Sequence, residues 1–119
     1  GYPGYINAVH EYAYTNLYIG DALEILPTLQ AGAYDLVLAI DILEHFDKGQ
    51  GSVFLKECRR VCKKTVLVST PRDFIEQEVV ANPLENHRSH WKEQDLRVCG
   101  FDSFLPDSLS LIAIANGKQ

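Results

Sequence analysis

The chain has 119 residues, 46% of them hydrophobic and 23% charged, which is the composition of one ordinary globular domain with a single modest core. Its net charge of -5 provides no basic footprint for duplex nucleic acid or an anionic membrane, so a small-molecule partner is the expectation. No apolar stretch approaches the roughly 20 residues that cross a bilayer, and the N-terminal residues lack the basic and apolar regions of a signal peptide, so a cytoplasmic location is expected.

In chain order, Ile6, Val9 and Tyr12 or Ala13 recur at helical spacing, which predicts a helix over 6–14. Asn16 stops it before a short strand, Leu17-Tyr18-Ile19, closed by Gly20-Asp21. Residues 22–29 read as a helix interrupted near Pro27, and Ala31-Gly32-Ala33 as a turn. Leu36 to Ile40 are five apolar residues in succession, the pattern of a strand covered on both faces.

After the polar loop 47–51, Ser52 is the predicted cap of a helix running to about Val61. Phe54, Leu55, Cys58, Val61 and Cys62 fall on one face of it, and Lys56, Glu57, Arg59, Arg60 and Lys63 on the other. Cys58 and Cys62 thus read as core thiols, and with Cys99 they make an odd count without a disulfide framework. Thr65 to Ser69 is a second buried-type strand, stopped by Thr70-Pro71-Arg72. Residues 73–90 read as a connection with one helical turn around 75–80, and 92–98 as a helix ended by Gly100. Residues 101–105 and 109–115, joined by Pro106-Asp107-Ser108, predict an antiparallel hairpin. The alternation, then the hairpin, predicts an α/β fold with a Rossmann-like, mainly parallel sheet.

The chemistry concentrates where the run Tyr34-Asp35-Leu36-Val37-Leu38-Ala39-Ile40 gives way to Asp41-Ile42-Leu43-Glu44-His45-Phe46. Ligands of open α/β sheets bind at the carboxyl ends of such strands, which sets Asp41, Glu44 and His45 beside a crevice. His45 is the side chain best matched to proton transfer at neutral pH. The plainer alternative has Glu44 paired locally and His45 packed on the next helix.

The stretch DLVLAIDILEHF resembles the fourth strand and following turn of class I S-adenosylmethionine-dependent methyltransferases. Ile19-Gly20-Asp21-Ala22, Val66-Leu67-Val68-Ser69-Thr70-Pro71, and Asn82 to Trp91 followed by Asp95-Leu96 and Gly100-Phe101 are similar to other parts of that family. The resemblance implies strands three to seven of the family's fold, with its C-terminal antiparallel hairpin. It implies that Asp21 accepts a hydrogen bond from the adenine amine, that Ala22 offers its backbone N–H to the ring, and that Asp41, Ile42 and Leu43 line the pocket near the methionine moiety. Asp41 and His45 are the implied catalytic residues, and S-adenosylmethionine is the implied cofactor. A metal site is a weaker resemblance, in which Asp41, Glu44 and His45 are joined by His87 or His90. The segment from His87 to Trp91 reads either as a specificity loop over the pocket or as a Trp91 anchor for the next helix.

The family's glycine-rich loop and the acidic residue that ends its second strand are not in this sequence. In the family's sheet order, 3-2-1-4-5-7-6, their loss would leave the DLVLAI strand as an open apolar edge. The expectation is therefore the C-terminal two thirds of a methyltransferase domain, or a chain completed by a partner or a homodimer across that edge. The functional expectation is methyl transfer to a small-molecule acceptor; the alternative is a methyltransferase-like module without cofactor, serving interaction or regulation.

Overall fold

The sequence folds as described by a computed structural model that covers residues 5–10, 13–72 and 88–117. Among the described residues, six strands form one sheet: β1 (Tyr5–His10), β2 (Ala13–Tyr18), β3 (Tyr34–Ile40), β4 (Cys62–Pro71), β5 (Ser103–Leu105) and β6 (Ser110–Asn116). The described helices that accompany them are α1 (Ile19–Ile25), α2 (Lys48–Val61) and α3 (Glu93–Val98). Among the described residues, no helix is long and apolar enough to cross a membrane.

The sheet order is β2-β1-β3-β4-β6-β5. The pair β3–β4 is parallel, with Val37 opposite Val66 and Ile40 opposite Ser69, and every other pairing is antiparallel. In direction, β2, β3, β4 and β5 run one way and β1 and β6 the other, so the expected mainly parallel α/β sheet is realised in strand direction rather than in neighbouring pairs. The C-terminal hairpin is as expected, and it slots antiparallel β6 between β4 and β5.

The N-terminal segment departs from the sequence reading. Where helical spacing predicts a helix over 6–14, the chain forms the β1–β2 hairpin. The reason is long-range: β1 pairs with β3 from Tyr5 opposite Ile40 to Val9 opposite Leu36, a ladder that local periodicity does not reveal. The same pairing corrects the open-edge expectation and removes its argument for a homodimer, because β1 takes the β3 edge. The sheet now ends on β2 and on β5, which is only three residues long.

The fully buried residues alternate along the strands, as period-two geometry requires. Val37, Ala39, Val66, Val68, Ala113 and Ala115 share one cluster with Ala22, Leu26, Phe54, Leu55, Cys58, Val61, Trp91, Leu96 and Phe101 from the helices and their flanks. Leu36, Leu38, Ile40 and Leu67 point the other way and are only partly buried. Among the described residues, α1 and α2 pack on the fully buried face of β3, and its other face is partly covered. Burying a Val or Leu side chain stabilises by about 1.5–3 kcal/mol, so this one cluster carries most of the cohesion.

Helix α2 starts earlier than Ser52 suggests. Asp47 is its N-cap, accepting from Gln50 N at 2.8 Å, while Gln50 Oε1 accepts from Asp47 N at 3.3 Å, a reciprocal capping box. Ser52 instead donates to Lys48 O inside the helix. Cys58 and Cys62 are buried free thiols, as their place on the apolar face predicts, and burial pushes the Cys58 thiol well above its usual range. Gly100, with φ +96°, follows α3 in the left-handed position expected of it. The helical turn read around 75–80 and His87 lie outside the described residues.

Candidate functional site

β3 and β4 deliver their carboxyl ends side by side, and the chemistry-bearing residues gather there. The ladder continues one bond past β3, with Asp41 N donating to Ser69 O at 3.0 Å. Asp41 then adopts φ +53°, the left-handed region that an aspartate tolerates better than most residues. That reversal sends the chain into a short 3-10 turn, Leu43–His45, closed by His45 N to Ile42 O at 3.1 Å and Phe46 N to Leu43 O at 3.2 Å. Asp47 begins α2 directly afterwards.

The turn sorts its side chains by chemistry. Asp41 is exposed, whereas Ile42 and Leu43 are fully buried in the core. Their buried side chains leave the backbone as what they offer a ligand, and the same holds for Ala22, also fully buried in α1. Asp21 lies in the first turn of α1.

Glu44 is 3% exposed and His45 8% exposed, so both sit beneath the surface rather than on an open crevice wall. His45 Nε2 is 3.8 Å from Glu44 Oε2, and Thr70 Oγ1 at the end of β4 donates to Glu44 Oε1 at 3.2 Å. Burial raises the Glu44 carboxyl from 4.5 to about 7; the nearby Asp41 charge adds to the rise, while hydrogen bonds from backbone and Thr70 oppose it. Glu44 thus takes its side-chain hydrogen bond from Thr70, 26 positions away, and the carboxyl is poised to titrate near neutral pH.

Sequence reasoning missed the cover on this turn. Arg88 N and Ser89 N both donate to Glu44 O, at 2.7 and 3.1 Å. Ser89 Oγ donates to Phe46 O at 2.6 Å and accepts from Trp91 Nε1 at 2.7 Å. Trp91 is 2% exposed, with its ring against Gly51 of α2 rather than on the helix that follows it, and His90 Nε2 lies 2.6 Å from Arg72 O. Of the residues in the metal resemblance, Glu44 and His45 come together; among the described residues no three His, Cys, Asp or Glu groups converge on a point.

A cleft of about 230 Å³ opens at the same end of the sheet, lined by Arg72, His90, Trp91, Lys92, Glu93 and Leu111. A larger one, about 400 Å³, lies between α2 and the end of α3, beside Arg59 and Gly100. Arg59 is also bonded to Asn116 O, which pairs with the amino-end half of β4, so the larger cleft is remote from the strand ends. The site is therefore assigned from the strand-end chemistry and not from volume.

Comparison with known proteins agrees with this geometry. The family model described as the methyltransferase domain matches residues 5–69. Among solved structures, the chain is similar to magnesium protoporphyrin IX methyltransferase (ChlM) from Synechocystis PCC 6803 with bound SAH, at 20% identity and a TM-score of 0.54, over 78% of this chain and 48% of that one. The same enzyme with bound SAM gives 19% identity and a TM-score of 0.51 over 78% and 43%. PigF with SAH gives 14% and 0.50 over 76% and 32%. The chain thus spans about half or less of the length of these structures, and the likeness establishes the fold. No curated protein matches the chain. With more than half of its residues matched by the family model, the chain belongs to the methyltransferase-domain family.

Proposed function

We propose that the chain acts in methyl transfer from S-adenosylmethionine to a small-molecule acceptor, using the carboxyl ends of β3 and β4. The observation that carries this reading is Asp41: among the described residues it is the non-glycine residue with positive φ, and it falls at the end of a central strand. Sparsely populated backbone conformations persist where function requires them. The reversal there presents an exposed carboxylate and, behind it, the backbone of Ile42 and Leu43.

The donor set fits the cofactor's charge, since an exposed carboxylate suits a ligand carrying an ammonium and a sulfonium. Asp21 and Ala22 at the start of α1 are the proposed partners of the adenine, and Asp41, Ile42 and Leu43 those of the methionine moiety. The cofactor supplies a methyl group on a positively charged sulfur. The work left to the chain is to align acceptor and methyl and to exclude water. Asp41 and His45 are the groups proposed to take a proton from an acceptor that must lose one, with Glu44 behind His45. Support for a small-molecule acceptor comes from the net charge of -5 and from the similar structure that is a porphyrin methyltransferase. A cytoplasmic location belongs to the same reading and is supported by the free thiols of Cys58 and Cys62.

Thermal unfolding with and without S-adenosylhomocysteine tests the proposal. A ligand that binds only the folded chain stabilises it by about 2.7 kcal/mol at one hundred times its dissociation constant, so the midpoint should climb with ligand concentration. A midpoint indifferent to the ligand at every concentration would refute the cofactor assignment.

A further inference from the structure

The segment from Arg88 to Trp91 is joined to the strand-end turn at its carbonyl groups. Glu44 O is taken by Arg88 N and Ser89 N, and Phe46 O by Ser89 Oγ. Ser89 is 7% exposed and also accepts the indole N–H of Trp91, so its hydroxyl serves as donor and acceptor at once. The indole in turn rests against α2 and the turn: a Cβ added at Gly51 would collide with Trp91 Cζ2 and lie 3.1 Å from Leu43 Cδ1. Lys48 Nζ stands 4.5 Å from the indole centroid and 2.8 Å from Asp95 Oδ2, which ties the first turn of α2 to α3. The turn, α2 and the approach to α3 therefore meet on one hydroxyl and one indole.

We propose that Ser89 is a positioning residue for the cofactor site: braced by Trp91, its hydroxyl fixes the Leu43–Phe46 segment so that the backbone from Asp41 to Leu43 faces the ligand. The inference rests on the methyltransferase reading. Ser89 acts through the Phe46 carbonyl and the Trp91 indole, and its hydroxyl meets no reacting atom. Short 3-10 turns have poor internal hydrogen-bond geometry, so a turn of three residues depends on outside partners to hold one conformation. Removing the hydroxyl strands a buried carbonyl and a buried indole N–H together, the costly form of hydrogen-bond loss. The turn then relaxes toward other partners, and the cofactor-facing backbone moves with it.

Ser89→Ala and Trp91→Phe separate positioning from mere stability. Affinity for S-adenosylhomocysteine is measured by calorimetry well below each variant's unfolding midpoint, beside the unaltered chain. Both variants should bind about tenfold more weakly, and the double variant about as weakly as either single one, because both break one unit. Trp91 is the only tryptophan in the sequence, so ligand binding to the unaltered chain should also change its fluorescence, and in Ser89→Ala that change should shrink. Lower unfolding midpoints with unchanged affinity in both variants would overturn the positioning role and leave the methyltransferase reading standing. An unaltered chain that fails to bind would overturn both. If Ser89→Ala does not fold, Trp91→Phe decides, since it keeps an aromatic ring while removing the N–H that Ser89 receives.

Discussion

The buried carboxyl of Glu44 should write itself into the pH dependence of folding. Its pKa rises from 4.5 to about 7 on folding, chiefly because burial removes water from the ionised form. Below pH 4.5 the carboxyl is protonated in both states and its neutral form is fully accommodated. Between 4.5 and 7 the unfolded chain releases the proton while the folded chain keeps it, so stability falls with rising pH at about 1.4 kcal/mol per unit. The total is about 3 kcal/mol, and above pH 7 the contribution levels off.

Glu44→Gln keeps the shape and an oxygen for Thr70 but cannot ionise. Thermal melts of both chains from pH 4.5 to 8, taken as a difference, cancel the other titrating groups. For a chain of this size, about 3 kcal/mol corresponds to a shift on the order of 10 °C. The advantage of Glu44→Gln should therefore grow by about that much from pH 4.5 to 7 and then stay constant. A difference that is flat across the range would refute the burial argument. A difference that falls with pH would mean that attraction to His45, 3.8 Å away, outweighs desolvation.

Three further outcomes follow from the same geometry. Gly51→Ala gains about 1 kcal/mol of helix propensity but drives a Cβ into the buried Trp91 ring, and overpacking of about 1–3 kcal/mol should win; a denaturant midpoint above that of the native chain would contradict the packing. Asp41→Gly should fold at least as stably, because glycine takes φ +53° freely, yet bind S-adenosylhomocysteine more weakly; full affinity in that variant would remove the carboxylate from the site. Asp21→Ala should weaken the same affinity at constant unfolding midpoint, and calorimetry showing no change would end the adenine assignment.

What the sequence revealed was what local chemistry dictates. The runs Leu36–Ile40 and Thr65–Ser69 read as strands because central strands are written in consecutive apolar residues, and α2 read as a helix from the spacing of Phe54, Leu55, Cys58 and Val61. Gly100 and the Pro106-Asp107-Ser108 turn marked their places by backbone preference. The N-terminal hairpin was hidden because its ladder to β3 spans about thirty positions, and Ile6, Val9 and Ala13 fit a helix equally well. The start of α2 was legible in Asp47-x-x-Gln50, a capping-box pattern nearer than Ser52.

The site divides the same way. The cluster Asp41, Glu44 and His45 stood out at a strand end, whereas Thr70 and Ser89 lie in stretches that resemble the family without any local pattern announcing their bonds to this turn. Ser89 meets Phe46 across 43 positions and Thr70 meets Glu44 across 26, distances at which only the folded chain makes neighbours. Exposure was equally invisible: one turn carries Asp41 outward and Glu44 and His45 inward.

The central claim is best tested by titrating the purified 119-residue chain with S-adenosylhomocysteine in a calorimeter, with its solution mass measured in the same buffer. Saturable uptake of one ligand per chain is the predicted result. A folded chain that gives no binding heat up to the highest soluble ligand concentration, with dialysis likewise finding no uptake, would contradict it.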